Sequence, residues 1–177
     1  MVATVTKVGE NGVGARIDGL DLRSPLSRED LDLLLDTWHE FAVVSIPGQH
    51  LSAAEQVAFT SQLGDVCVHP NGHGRHPDPD CPTNPRDGLS LVLYFNGKGR
   101  NDRWHTEISG MQAPPRYTVL HQHETPGGGK GDTWFADMRG AYDRLSPALQ
   151  EMLEGMDVVH GFKNVSAAAL FSAVSVF

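Results

Sequence analysis

Between residues 104 and 107 the chain reads Trp104-His105-Thr106-Glu107, an imidazole and a carboxylate two residues apart. On an extended strand or at a strand-to-loop edge, alternate side chains point the same way, so His105 and Glu107 can converge on one ion. These are two of the three donors in the facial set of two histidines and one carboxylate, which leaves iron(II) with free positions for a chelating cosubstrate and oxygen. By itself the pair also fits an ordinary solvated surface. Nine histidines are present in all, several of them near acidic residues or glycine-rich turns, where metal and anion chemistry often sits. His121 and His123 alternate along residues 117–123, where packing and hydrogen bonding compete with ligation. Cys67 and Cys81 are the only cysteines and lack Cys-x-x-Cys spacing, so neither a zinc knuckle nor a disulfide framework is indicated.

The elements that must position these groups follow from local patterning. Residues 4–8 and 15–20 alternate as two short strands joined by a turn at Glu10-Asn11-Gly12, an opening hairpin. Ser27 is the N-cap of a helix with an acidic first turn, and Leu31, Leu34, Leu35 and Trp38 follow at helical spacing, which predicts one buried face. Residues 41–46 form an apolar run ended by Pro47-Gly48, as a buried strand would. The capping box Ser52-Ala53-Ala54-Glu55 opens a second helix carrying Val57, Phe59 and Leu63, with Gly64 as its stop. Residues 69–88 are dense in Pro, Gly, Asp and His and read as a long irregular loop. Strands are predicted over 89–95, 117–123 and 131–136. Ser146-Pro147 starts a further helix, with Leu149, Met152 and Leu153 facing inward and Gly155 ending it.

Composition narrows the classes. At 177 residues and 40% hydrophobic content the chain is long enough for one domain with a real core. A net charge of -8 without any Lys/Arg cluster argues against a nucleic-acid binder, because that affinity comes largely from neutralising phosphates. No stretch approaches the roughly 20 apolar residues needed to span a bilayer. Met1 is followed by a polar, alternating segment and not by a basic stretch and an apolar run, so a cytoplasmic location is expected.

The order and spacing of several segments resemble the taurine dioxygenase and 2,4-dichlorophenoxyacetate dioxygenase family. They are residues 14–22, Leu63-Gly64-Asp65, Val68-His69-Pro70, Asn101 through Glu107, Ala113-Pro114-Pro115, Gly131-Asp132-Thr133-Trp134 and residues 141–146, and the likeness runs from about residue 4 to about residue 162. The resemblance implies an α+β, mainly β fold: an incomplete double-stranded β-helix (jelly roll, cupin-like) with flanking helices. It would occupy residues 1–164, with 165–177 as an apolar tail. It implies iron(II), 2-oxoglutarate as cosubstrate and O2, with His105 and Glu107 as the first two iron ligands and Thr133 binding a carboxylate of 2-oxoglutarate. The chemistry of Thr133 suits that role, since a short hydroxyl at the start of a strand beside the turn Gly127-Gly128-Gly129-Lys130-Gly131 can donate to an anion without crowding it. His69 and Asn101 are implied to line the pocket of a small, anionic organic substrate. Arg100, Arg103 and Lys130 are candidate helpers, although charges in glycine-rich loops are mostly solvated.

Two departures stand out. The taurine-type pattern has Asp where this chain has Glu107, which moves the carboxylate by about an ångström; relatives resembling clavaminate synthase use His-x-Glu at the same place. The family also draws its third ligand, a distal histidine, and the arginine that pairs with 2-oxoglutarate from a C-terminal segment that this chain is expected to lack. His160 falls where the family often has a non-ligand histidine. Missing strands would leave an unpaired sheet edge, so association between copies or with a partner chain is expected. Alongside the dioxygenase stand two other readings: a non-catalytic remnant or fragment, and a cupin-shaped binding module without redox activity.

Overall fold

In the computed structural model, residues 2–9, 12–67, 76–94, 104–124 and 127–159 are described. The opening hairpin forms as its alternation predicts. Strand β1 (Thr4–Lys7) pairs antiparallel with β2 (Ala15–Asp18), Thr4 opposite Asp18 and Lys7 opposite Ala15. Along β2, Ala15 and Ile17 are buried while Arg16 is exposed, so one face of the ribbon meets the core. Gly14 closes the turn with φ +101, and a Cβ there would stand 2.8 Å from the Val8 carbonyl oxygen, so backbone conformation and close approach both require glycine. On its other side β2 pairs parallel with β3 (Val44–Ser45), giving the sheet order β1-β2-β3. Only these two residues of the predicted strand over 41–46 join the ladder.

Helix α1 (Arg28–Phe41) begins where its cap chemistry says, the Ser27 hydroxyl accepting from the Asp30 N–H, and it ends at Ala42 in the left-handed conformation. Its Leu34 and Trp38 meet Ile17, Leu20, Leu22, Leu51 and Phe59 to make the core, in which Ile17 and Leu34 are wholly inaccessible at 0%. Helix α2 (Ala53–Thr60) opens on a reciprocal capping box, the Glu55 carboxylate accepting from the Ser52 N–H at 2.8 Å and the Ser52 hydroxyl from the Glu55 N–H at 3.2 Å. It stops at Thr60 and passes through a turn before Gly64, so Leu63 packs on the core from outside the helix.

Two side-chain amides tie the loop after β2 to this core. Gln49 donates to the Leu20 carbonyl at 2.8 Å and accepts from the Leu22 N–H at 3.0 Å, and Gln62 accepts from the Leu26 N–H at 2.9 Å. Each satisfies backbone groups that no ladder reaches.

The later part of the chain corrects several expectations. Among the described residues of 89–95, 117–123 and 131–136 no strand is formed; the nearest ladder feature is an isolated bridge between Thr83 and Ser90. An extended, alternating sequence becomes a strand only when a partner supplies the opposing hydrogen bonds, and no described segment does so. The described residues therefore carry an α+β arrangement in which helix outweighs strand, and not the mainly β content expected. Helices α3 (Met138–Asp143) and α4 (Pro147–Leu153) are capped by Asp137 and by Ser146 with Pro147 at the first helical position. Neither buries a residue: Leu149, Met152 and Leu153, expected to face inward, are exposed at 44%, 55% and 39%. Periodicity identified their common face, but no described element packs deeply on it. No described helix is long and apolar enough to cross a membrane. The expected boundary between a domain ending at 164 and a tail lies outside the described residues.

Candidate metal and anion site

The region carrying the candidate site reaches the core through a few anchors. Tyr117 lies against Trp38 with ring centroids 4.7 Å apart, and its hydroxyl hydrogen-bonds the His39 ring. The Val119 carbonyl accepts from the Gln56 amide at 3.4 Å, and His121 Nε2 meets the Gln49 carbonyl at 3.2 Å. From α3 the Arg139 guanidinium donates to the carbonyls of His39 and Glu40 at 3.0 and 3.1 Å, capping the C-terminal end of α1.

Upstream of these anchors, His105 is exposed and Glu107 half-buried. Glu107 does not continue a strand. It opens the turn over residues 107–110, in which Ile108 takes φ +44 and the Met111 N–H bonds back to the Ile108 carbonyl at 3.1 Å. A β-branched residue in the left-handed region is strained by about 1–3 kcal/mol, and such strain tends to gather at functional sites. Cys67 is the unforeseen neighbour: burial first, and the negative charge of Glu107 second, push its thiol pKa up. No local signal links residues so far apart in sequence.

An imidazole and a carboxylate suit iron(II) as donors. Among the described residues they are not joined by a third: no group of three or more His, Cys, Asp or Glu is assembled that could hold a metal. His69 and Asn101, like Arg100, Arg103 and His160, lie outside the described residues.

His121 and His123 pack ring to ring, with centroids 4.2 Å apart. The Nδ1 atom of His121 is buried without a partner among the described residues, and desolvation, followed by the nearby His123 and His50, lowers its pKa against the opposing effect of the Gln49 carbonyl. Of the two roles the alternation leaves open, the contacts seen are those of packing and hydrogen bonding.

Thr133 sits on a separate feature, an open groove of about 510 Å³ lined by Gln122, Trp134 and Phe135 together with Lys130, Gly131 and Asp132. Its volume is in the range of small-molecule sites. Thr133 and Lys130 are both candidates named from the sequence, whereas Gln122 carried no such signal.

A sequence model of the family described as "Taurine catabolism dioxygenase TauD, TfdA family" matches residues 4–171. The chain is similar to the alpha-ketoglutarate-dependent sulfonate dioxygenase of Saccharomyces cerevisiae, 31% identical over 85% of this chain and 37% of that protein. It is also similar to the alpha-ketoglutarate-dependent 2,4-dichlorophenoxyacetate dioxygenase of Cupriavidus pinatubonensis, 31% identical over 82% of this chain and 54% of that one. Among solved structures, AAD-2 in complex with Mn(II) and N-oxalylglycine superposes with a TM-score of 0.59 at 23% identity, over 86% of this chain and 50% of that one. That likeness shows a shared fold. The chain spans about half the length of the relatives it matches.

Proposed function

Because the chain belongs to the taurine catabolism dioxygenase TauD, TfdA family, we propose that it is part of an iron(II)- and 2-oxoglutarate-dependent dioxygenase that hydroxylates a small, anionic organic substrate with release of succinate and CO2. The observation that carries this reading is the family match over residues 4–171, a range that includes Trp104-His105-Thr106-Glu107 and Gly131-Asp132-Thr133-Trp134. His105 and Glu107 hold the metal, Thr133 donates to a carboxylate of 2-oxoglutarate, and His69 and Asn101 line the substrate pocket. Bound iron(II) with its cosubstrate supplies the oxygen activation; this chain's residues orient the reactants and limit side reactions. An anionic substrate is supported by the two named relatives, whose sulfonate and 2,4-dichlorophenoxyacetate substrates each pair a small organic body with an anionic group. The extended segments at 117–123 and 131–136 are the proposed strands of the incomplete jelly roll, completed by partners outside the described residues.

The testing experiment is an anaerobic titration of the 177-residue chain with iron(II) and 2-oxoglutarate, following the visible metal-to-ligand charge-transfer absorption of the chelated complex. The band is expected in the wild type and is lost in Glu107→Ala. Its absence from the wild type would leave the remnant or the binding module as the better account of this chain.

A further inference from the structure

Lys130 differs from the paired cations among the described residues. Among the described residues the ion pairs are Arg16–Asp18, Arg23–Asp21 and Arg28–Asp32, all arginines bridging to close sequence neighbours in the N-terminal region. Lys130 forms none there, although Asp132 stands two residues away. It lines the same groove as Thr133 and Gln122.

The turn before it explains the placement. Gly127, Gly128 and Gly129 have φ of +70, +65 and +69, and a Cβ at any of them would meet nothing within 4 Å. Space is available, so the three glycines are required by conformation alone: a run of left-handed residues is disfavoured for every L side chain. The sequence Gly-Gly-Gly therefore encodes a tight reversal that delivers Lys130 to the groove wall. An ammonium, a hydroxyl and an amide can all donate, and anions are recognised by donors of these kinds gathered along one groove. Asp132, the carboxylate on the same wall, opposes an anion.

We propose that Lys130 is the anion-binding cation of this groove, which takes a carboxylate ligand held by Lys130, Thr133 and Gln122. The identity of that carboxylate as 2-oxoglutarate rests on the dioxygenase reading; the carboxylate chemistry rests on the groove itself.

Equilibrium dialysis of the full chain against labelled 2-oxoglutarate under anaerobic iron(II), with labelled succinate in parallel, tests it. Lys130→Ala weakens binding about five- to tenfold, as expected for a partly solvated charge-assisted contact, and Lys130→Arg keeps most of the affinity. Asp132→Asn tightens binding about two- to threefold, and the salt sensitivity of wild-type binding is blunted in Lys130→Ala. Lys130 is exposed, so unchanged thermal midpoints are expected to exclude misfolding as a cause. If 2-oxoglutarate binds equally well to Lys130→Ala and wild type, the proposal is overturned while the dioxygenase reading stands. If succinate binds in a Lys130-dependent way and 2-oxoglutarate does not bind, the proposal stands and that reading falls. If neither carboxylate binds the wild type, both fall.

Discussion

The region up to residue 63 and the region from 104 to 159 are stabilised by different means. The first encloses Ile17, Leu34, Trp38 and Phe59 in one apolar cluster, with a paired sheet and two capped helices around it. The second contributes Tyr117 and Val119 to the edge of that cluster and otherwise leaves its large apolar side chains open, Trp104 at 71% and Trp134 at 78% among them. The candidate ligands His105 and Glu107, and the Thr133 groove, all belong to the second. The candidate site thus lies on the part of the chain with fewer buried contacts, positioned by a small set of directed hydrogen bonds onto a part that is conventionally packed. Regions with few buried contacts open locally at low cost, so the site's geometry depends on those anchors more than on a core of its own.

Breaking the first region should cost most. Leu34→Ala removes a fully buried side chain from the centre of the cluster and is expected to lower stability by about 2–5 kcal/mol, read by denaturant unfolding through the fluorescence of neighbouring Trp38. A loss below about 1 kcal/mol would mean that the cluster is not the main source of stability. Cutting a tether should cost less but act more selectively. Arg139→Ala removes two donors from the carbonyls of His39 and Glu40, a loss of about 1 kcal/mol for a partly solvated contact. Hydrogen exchange should then quicken in α3 and α4 and leave the buried part of α1 unchanged; uniform protection would show that the anchor is dispensable.

A second anchor is sensitive to pH. With His121 Nε2 facing the Gln49 carbonyl, the Nε2–H tautomer is the one that donates, and Nδ1 is left buried with no acceptor for a second proton among the described residues. Its pKa is lowered in the folded state, so the neutral ring is favoured by folding. The stability it contributes is present above the ordinary imidazole value and is lost as pH falls through that value toward the folded one. Thermal midpoints should therefore decline between about pH 7.5 and about pH 5.5, and His121→Gln should flatten the decline. A slope identical in the variant would assign the effect to groups other than His121.

The smallest effect is expected on α4. Leu149→Ser alters a side chain that is 44% exposed and should change stability by less than about 0.5 kcal/mol. A cost of about 2 kcal/mol or more would reveal that this face is covered in solution, and the contrast between the regions would then be one of assembly state.

What the sequence determined by itself is local. Ser27, Ser52 and Ser146 mark their helix starts because a cap bonds to an N–H only two or three residues on, and the hairpin follows from alternation and a glycine turn within a few residues. The His105, Glu107 and Thr133 assignments came from motif order, which needs no packing. Only the tertiary structure decided that residues 117–123 and 131–136 run without a ladder, that the apolar face of α4 stays open, that Cys67 neighbours Glu107, and that Lys130 shares a wall with Thr133. All but the last depend on a partner distant in sequence, and in the last the fold adds Gln122 to a wall otherwise made of the contiguous residues 130–135. Hydrogen-bonding potential and amphipathic period state what a segment could pair with, and the folded chain alone supplies or withholds the partner.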